Sequence, residues 1–388
     1  MNLRGTNQEK ARPYNRRIVL ECIRNHGPST RSAIAERVGL TVQTVSTIVR
    51  ELEEQGYLLP VRGEPKSRGY PPTTLHINPD GGFAIGVSVT PLGVDAALMN
   101  LAGDIIGSAS RPSPQPSPSA AMALIEELCA EMRALRPSVR ILGVGMAMPG
   151  PFEVEGISFV GSTTLNGWSG VPVRARLEEV SRLPAFIAVD TVAAAIGVRL
   201  YGEGAEFSQF YYLHFGVGLG GTMIENGVPL RGAWGNAGEI GHLPLVPDGR
   251  PCPCGNRGCL ERYLSLDGFG QRPEGQSEAE WVDEVTPIFH RAVTTIENLF
   301  DPQTIILGGI APVHLLKQLV DTASHLPNSV AHRGDRIAPR VIAGGGPRSV
   351  LRGAAALAVS GILSPRHEPI VSLDRMRKRD PFSNGLFA

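Results

Sequence analysis

No apolar run in this sequence reaches the roughly 18–20 residues that a membrane span needs. The basic residues of the first seventeen positions lead into no apolar core, so a secretory signal is not expected and the protein should stay in the cytoplasm without membrane contact. Charge of one sign is also missing, because 37 Lys and Arg balance 37 Asp and Glu. No internal repeat of solenoid period is visible. Cysteine is scarce, five in 388 residues, and an odd number in a cytosolic chain argues against a disulfide framework. With 42% hydrophobic and 19% charged residues the chain is globular, not disordered.

The length exceeds one ordinary domain and suits a small module followed by a larger two-lobed one. The neutral total conceals an asymmetry. Residues 1–77 hold 12 Lys and Arg against 7 Asp and Glu, and the remainder holds 25 against 30. A basic head on an acidic body suits nucleic-acid binding by the head and ligand binding by the body.

Within the head, residues 15–26 read as a helix with Ile18, Val19, Cys22 and Ile23 on one face, broken by Gly27-Pro28. A second helix starts near Thr30 and stops at Gly39. Thr41 is placed to cap a third helix, over 41–55, in which Val45, Ile48, Val49 and Leu52 recur at helical spacing. Two strand-like runs, 57–61 and 73–77, flank a turn-rich loop. Three helices and a hairpin make a winged helix-turn-helix. The outer face of the third helix carries Gln43, Thr44, Thr47 and Arg50, with Ser46 at its edge, side chains suited to base edges and phosphates of a major groove. Arg62, Lys66 and Arg68 in the wing suit backbone or minor-groove contact. The alternative is a polar face on a protein–protein module; helix lengths, Gly39 and the basic wing favour DNA.

Residues 78–82 form a turn cluster and the expected boundary of a head at 1–78. Beyond it, 83–89 and 94–100 read as a hairpin, 111–119 as an extended connector, 120–135 as a helix and 140–147 as a strand. Further alternation continues to about residue 365, and 366–388 form a polar tail. This is an α/β body.

Cys22 and Cys129 stand alone in helix-like contexts and read as small buried hydrophobes. Cys252, Cys254 and Cys259 crowd into eight residues behind Gly238-Glu239-Ile240-Gly241-His242. Three thiolates and one imidazole complete a tetrahedral zinc site with no open position, a structural site. A chance cluster of free cysteines is the competing reading, and the spacing of Gly255 and Gly258 within it speaks against chance.

The run from Gly238 to His242 followed by Cys252-Pro-Cys254-Gly-Asn-Arg-Gly-Cys259-Leu-Glu261 resembles the ROK family of repressors and sugar kinases. Met148–Pro151, Asp190 after an apolar strand, Gly216–Gly221, Ile305–Gly309 and Gly353–Ala356 extend the resemblance over almost the whole chain. With its head, the chain is similar to the repressor branch. The resemblance implies an actin/hexokinase-like (ribonuclease H-like) body over 82–365, two lobes with a hinge near 195, and a sugar in the cleft. It places Glu239, His242 and Glu261 on sugar hydroxyls, His242 serving zinc and sugar through different ring nitrogens, and Asp190 where family kinases keep their catalytic base.

The chain departs from the kinases. Where they carry an aspartate and a Gly-Gly-Thr turn in the first hairpin, it has Ser88-Val89-Thr90-Pro91-Leu92, and Pro91 has no N–H for a phosphate. Where they carry Gly-Thr-Gly it has His214-Phe215-Gly216, and the phenylalanine is expected to fill phosphate space. Val189 replaces an asparagine, and the family's asparagine before a Gly-Trp falls at Thr164, with Asn166 nearby. The stretch between Glu261 and Leu299 is short for the family. The expectation is a sugar-responsive repressor that binds operator DNA, a sugar or sugar phosphate and structural zinc, but no ATP. It should assemble as a homodimer or homotetramer and catalyse nothing. The rivals are a sugar kinase with an accessory head and a regulator whose body binds a protein.

Overall fold

The computed structural model describes residues 12–63, 72–150, 165–168, 170–232, 236–331, 333–346 and 348–363. Lys66, Arg68, Pro151, Thr164 and the tail from 366 lie outside them.

The head is built from α1 (Arg12–His26), α2 (Arg31–Val38), α3 (Val42–Glu54), β1 (Leu58–Arg62) and β2 (Thr73–Ile77). Capping sets the helix starts. The Thr30 hydroxyl accepts from Ala33 N at 3.2 Å and the Thr41 hydroxyl from Thr44 N at 3.1 Å. Val45, Ile48, Val49 and Leu52 form the buried stripe of α3. β1 and β2 pair antiparallel from Leu58 opposite Ile77 to Arg62 opposite Thr73, the base of a wing.

The first lobe follows as β3 (Phe83–Thr90), β4 (Gly93–Asn100), β5 (Ile105–Pro112), α4 (Pro118–Leu135), β6 (Ile141–Met148), α5 (Val173–Ser181), β7 (Ala185–Val189) and α6 (Asp190–Tyr201). Its sheet order is β5-β4-β3-β6-β7, antiparallel through the meander and parallel beyond it. The connector expected at 111–119 is shorter. Arg111 pairs with Val94 in the ladder and ion-pairs with Glu127 and Glu131 of α4, while Ser117 caps that helix. Only residues 113–117 remain to connect.

The second lobe contains β8 (Gln209–Phe215), β9 (Leu219–Glu225), β10 (Val228–Pro229), α7 (Leu266–Gly270), α8 (Glu278–Phe300), β11 (Thr304–Gly309), α9 (Val313–Asp321) and β12 (Val341–Ala343), with sheet order β10-β9-β8-β11-β12. Strand β8 runs parallel to β11, and β11 to β12. The chain then returns to the first lobe as α10 (Ser349–Leu363), packed on α6, β3 and β6. The two helices approach so closely that a Cβ at Gly353 would collide with the carbonyl of Ala193. Position 195, expected at a hinge, lies buried inside the unbroken α6. The first departure from helical backbone is at Gly202, and helix ends, not interiors, absorb hinge rotations.

Head and body share one apolar cluster, in which Ile23, Leu52 and Tyr57 join Leu101, Ala193 and Leu357. Within it Glu21 of α1 meets Arg199 of α6 at 3.3 Å, both side chains 6% exposed. Burial raises the carboxyl's pKa, but Arg199, then Arg17 and Arg24, outweigh it and hold Glu21 below its ordinary range. The guanidinium of Arg24 lies 5.2 Å over the ring of Tyr201. Cys22 and Cys129 are buried, and burial lifts the Cys129 thiol to about 11. No helix among the described residues is long and apolar enough to cross a membrane.

Candidate functional site

The knuckle begins where β9 and β10 hand the chain to a long irregular segment. A 3-10 turn over Ile240–His242 and another over Leu260–Arg262 lie side by side, with Pro244 bridged to Cys259. Gly258 has φ of +73°, and a Cβ there would strike the Val246 carbonyl, so the fold needs glycine at this corner. The corner closes the loop that brings the cysteines together.

One donor atom each from His242, Cys252, Cys254 and Cys259 lies within 4.8 Å of the others. Cys254 Sγ is 3.6 Å from Cys259 Sγ, and Cys252 Sγ is 3.6 Å from His242 Nδ1. A tetrahedron with bonds of about 2.0–2.3 Å has edges of about 3.3–3.8 Å, which the two 3.6 Å separations match, so this set of soft and borderline donors fits zinc. Burial opposes ionisation of the thiols and raises Cys252 and Cys259. At Cys254 the Asn256 backbone N–H and neighbouring thiols outweigh it and bring the pKa down to about 7. The Glu261 carboxylate stands behind the cluster, 4% exposed, with Oε1 3.2 Å from Cys252 Sγ and 3.5 Å from His242 Nδ1. A carboxylate there orients ligands as an outer partner does.

Across the cleft, Asp190 opens α6 directly after β7, and its Oδ1 accepts from Thr191 N at 2.7 Å. Glu239 is open to solvent yet crowded by both lobes. Partial desolvation raises its carboxyl pKa; His242 opposes this, and Asp190 and Glu261 add to it. The four residues singled out for sugar contact therefore share one electrostatic neighbourhood. They offer acceptors and an imidazole, the donor set a polyol hydroxyl pattern calls for.

Phe215 does not face the cleft as expected. Alternation along β8 turns Tyr211, Leu213 and Phe215 into the second-lobe core, where Phe215 meets Trp281 edge-on at 6.4 Å. His214 takes the opposite face. It is 5% exposed, burial depresses its pKa, the Asp190 carboxylate acts against that, and its Nδ1 has no partner among the described residues. Period-two reading of β8 would have identified it. Ser88 lies directly opposite Asp95 on β4, so a carboxylate stands beside the position where it was missed. Asn166 is exposed.

On the head, Gln43, Thr47 and Arg50 are exposed, and Thr44 and Ser46 half-buried. The Ser46 hydroxyl donates to Val42 O at 2.7 Å and that of Thr47 to Gln43 O at 3.2 Å, which leaves their lone pairs outward as acceptors. Val42, 49% exposed at the start of α3, was missed by pattern reading because apolar residues were sought only on the inner face. Arg62 is exposed at the wing base.

A ROK family model matches residues 84–360, and a winged helix-turn-helix DNA-binding model matches residues 13–58. The xylose repressor of Caldicellulosiruptor bescii is 29% identical over 344 residues, 79% of this chain and 85% of its own. A glucokinase of Halalkalibacterium halodurans is 27% identical over 271 residues, 68% of this chain and 79% of its own. A solved ROK family transcriptional regulator, a homologue of the E. coli MLC protein, superposes with a TM-score of 0.70 at 21% identity, over 92% of this chain and 97% of that one. At that identity the likeness is one of fold.

Proposed function

The chain belongs to the ROK family, and from that premise we propose that it is a sugar-responsive transcriptional repressor. Residues 1–78 read operator DNA and residues 82–365 hold the effector. The observation that carries this is the solvent-facing polar side of α3 on a three-helix head, fused to a body that keeps its cleft carboxylates. Gln43, Thr44, Ser46, Thr47 and Arg50 read the major groove, Val42 offers a methyl contact for thymine, and Arg68 grips the backbone. Two copies, or a tetramer built from them, would read an inverted repeat.

In the cleft, Asp190, Glu239, His242 and Glu261 hydrogen-bond the sugar. Zinc on His242, Cys252, Cys254 and Cys259 would fix the loop that carries Glu239 and Glu261. With Nδ1 on the thiol side, Nε2 of His242 is left for a hydroxyl. A sugar spanning both lobes shifts the head only by as much as its affinities for two lobe arrangements differ.

The glucokinase relative and the retained Asp190 support a second reading, residual phosphoryl transfer. Against it, Pro91 removes a phosphate donor and Ser88 a carboxylate, although Asp95 stands opposite. ATP hydrolysis measured with and without sugar separates the two. Selection of bound fragments from random DNA by the full chain, with and without D-xylose, D-glucose and their phosphates, tests the first. No enriched sequence would refute it.

A further inference from the structure

At the end of α6 far from Asp190, a cavity of about 380 Å³ opens between that helix end and the segment leading into α10. Tyr201 and Glu203 form one side, and Gly346, Arg348, Ser349 and Arg352 the other. A space of this size holds a small metabolite.

Its polar lining is incomplete. Among the described residues, neither Arg348 nor Arg352 has a carboxylate within ion-pairing distance. Among the described residues Arg352 Nε and the Tyr201 hydroxyl also have no hydrogen-bond partner, although neither atom is open to solvent. Ser349 starts a fifteen-residue helix whose dipole also favours an anion, although its own N–H is taken by the Gly346 carbonyl at 2.8 Å. The Glu203 carboxylate takes Gly345 N at 3.1 Å through Oε2 and keeps Oε1 for a donor.

Two guanidinium groups at a helix start suit the dianionic, three-oxygen end of a phosphate monoester better than a singly charged carboxylate. Glu203 answers a hydroxyl on the same molecule. The geometry points to a binding site for a small hydroxylated phosphate ester, separate from the sugar cleft.

Such a ligand touches the contact between head and body. The ring of Tyr201 that walls the cavity is the ring on which Arg24 of α1 rests, and two residues earlier Arg199 pairs with Glu21. Occupancy fixes the position of this helix end and acts on the head independently of the cleft.

Calorimetric titration of the full chain with sn-glycerol 3-phosphate, inorganic phosphate and glycerol tests the site without DNA or sugar. Both phosphates should bind and glycerol should not. Arg348 is exposed, so Arg348→Gln folds, as an unchanged far-ultraviolet spectrum will verify. It should weaken glycerol 3-phosphate about tenfold or more, and Arg348→Lys should recover most of that. Asp190→Asn should keep phosphate binding while losing sugar binding. Equal affinity in Arg348→Gln, loss of phosphate binding in Asp190→Asn, or no binding to the wild-type chain would each overturn the proposal.

Discussion

The two ends of α6 place charge in opposite settings. At the first residue, Asp190 faces a cleft that admits solvent and three other ionisable side chains. At the tenth, Arg199 is sealed against α1 and pairs with Glu21. The first end is built to exchange partners, since water can replace a departing ligand. The second is built to hold its carboxylate partner, because a buried charge there has little water to turn to. A helix of twelve residues, about 18 Å long, joins them. On the proposed function, a displacement of the cleft end would reach the head as a displacement of Arg199 and Tyr201, with no chain of small relays.

The severest way to break the cleft end is to remove its anchor. Cys254→Ser should reduce zinc from one per chain to none by elemental analysis and abolish sugar binding, because a structural zinc contributes on the order of 10 kcal/mol to the fold around it. Metal-free protein that still binds sugar would show that the knuckle does not place Glu239 and Glu261. The head end breaks next. Glu21→Ala takes from the buried Arg199 the carboxylate it meets at the junction, and should cost about 3–5 kcal/mol, read as a lowered melting temperature. Replacing both residues by leucine should recover much of that loss; if it does not, packing and not charge holds the junction.

A milder substitution asks whether the ends communicate. Asp190→Ala and Glu239→Ala should bring the ratio of operator affinities with and without sugar to about one, from a coupling of about 1–3 kcal/mol in the wild type. An unchanged ratio in both variants would move the effector elsewhere. On the DNA side, Gln43→Ala and Arg50→Ala should each cost about 1–3 kcal/mol on the selected sequence and less on unrelated DNA.

The cleft end was legible in the sequence and the head end was not, for a physical reason. Asp190, Glu239, His242 and Glu261 sit in local signals: a carboxylate closing an apolar strand, and a cysteine spacing suited to a metal. The α3 face was legible because a Thr41 cap and a period of three and four are local too. Glu21 and Arg199 are 178 residues apart, each on an ordinary helix. Nothing near either names the other. Phe215 was misplaced, and His214 overlooked, for a smaller reason, since motif alignment compares residue types while strand alternation decides which one faces the cleft.

The smallest expected effect, and the one that compares the ends directly, is acidification. Glu239 has a folded-state pKa above its unfolded value, chiefly through desolvation. It takes up its proton first as pH falls, and that protonation favours the folded state while removing an acceptor from the sugar. Glu21 has a folded-state pKa below its unfolded value, because its arginines outweigh burial. Its contribution is fully present above the ordinary carboxylate range and is lost only as pH falls through the depressed value. From about pH 7 to about pH 4, sugar affinity should therefore decline before α1 loosens. Calorimetry of sugar binding and hydrogen exchange of α1 amides, with zinc content followed in the same samples, give the two curves. Exchange in α1 that rises at a higher pH than the loss of sugar affinity would mean that the buried pair is not what holds the head, and the contrast between the two ends would fail.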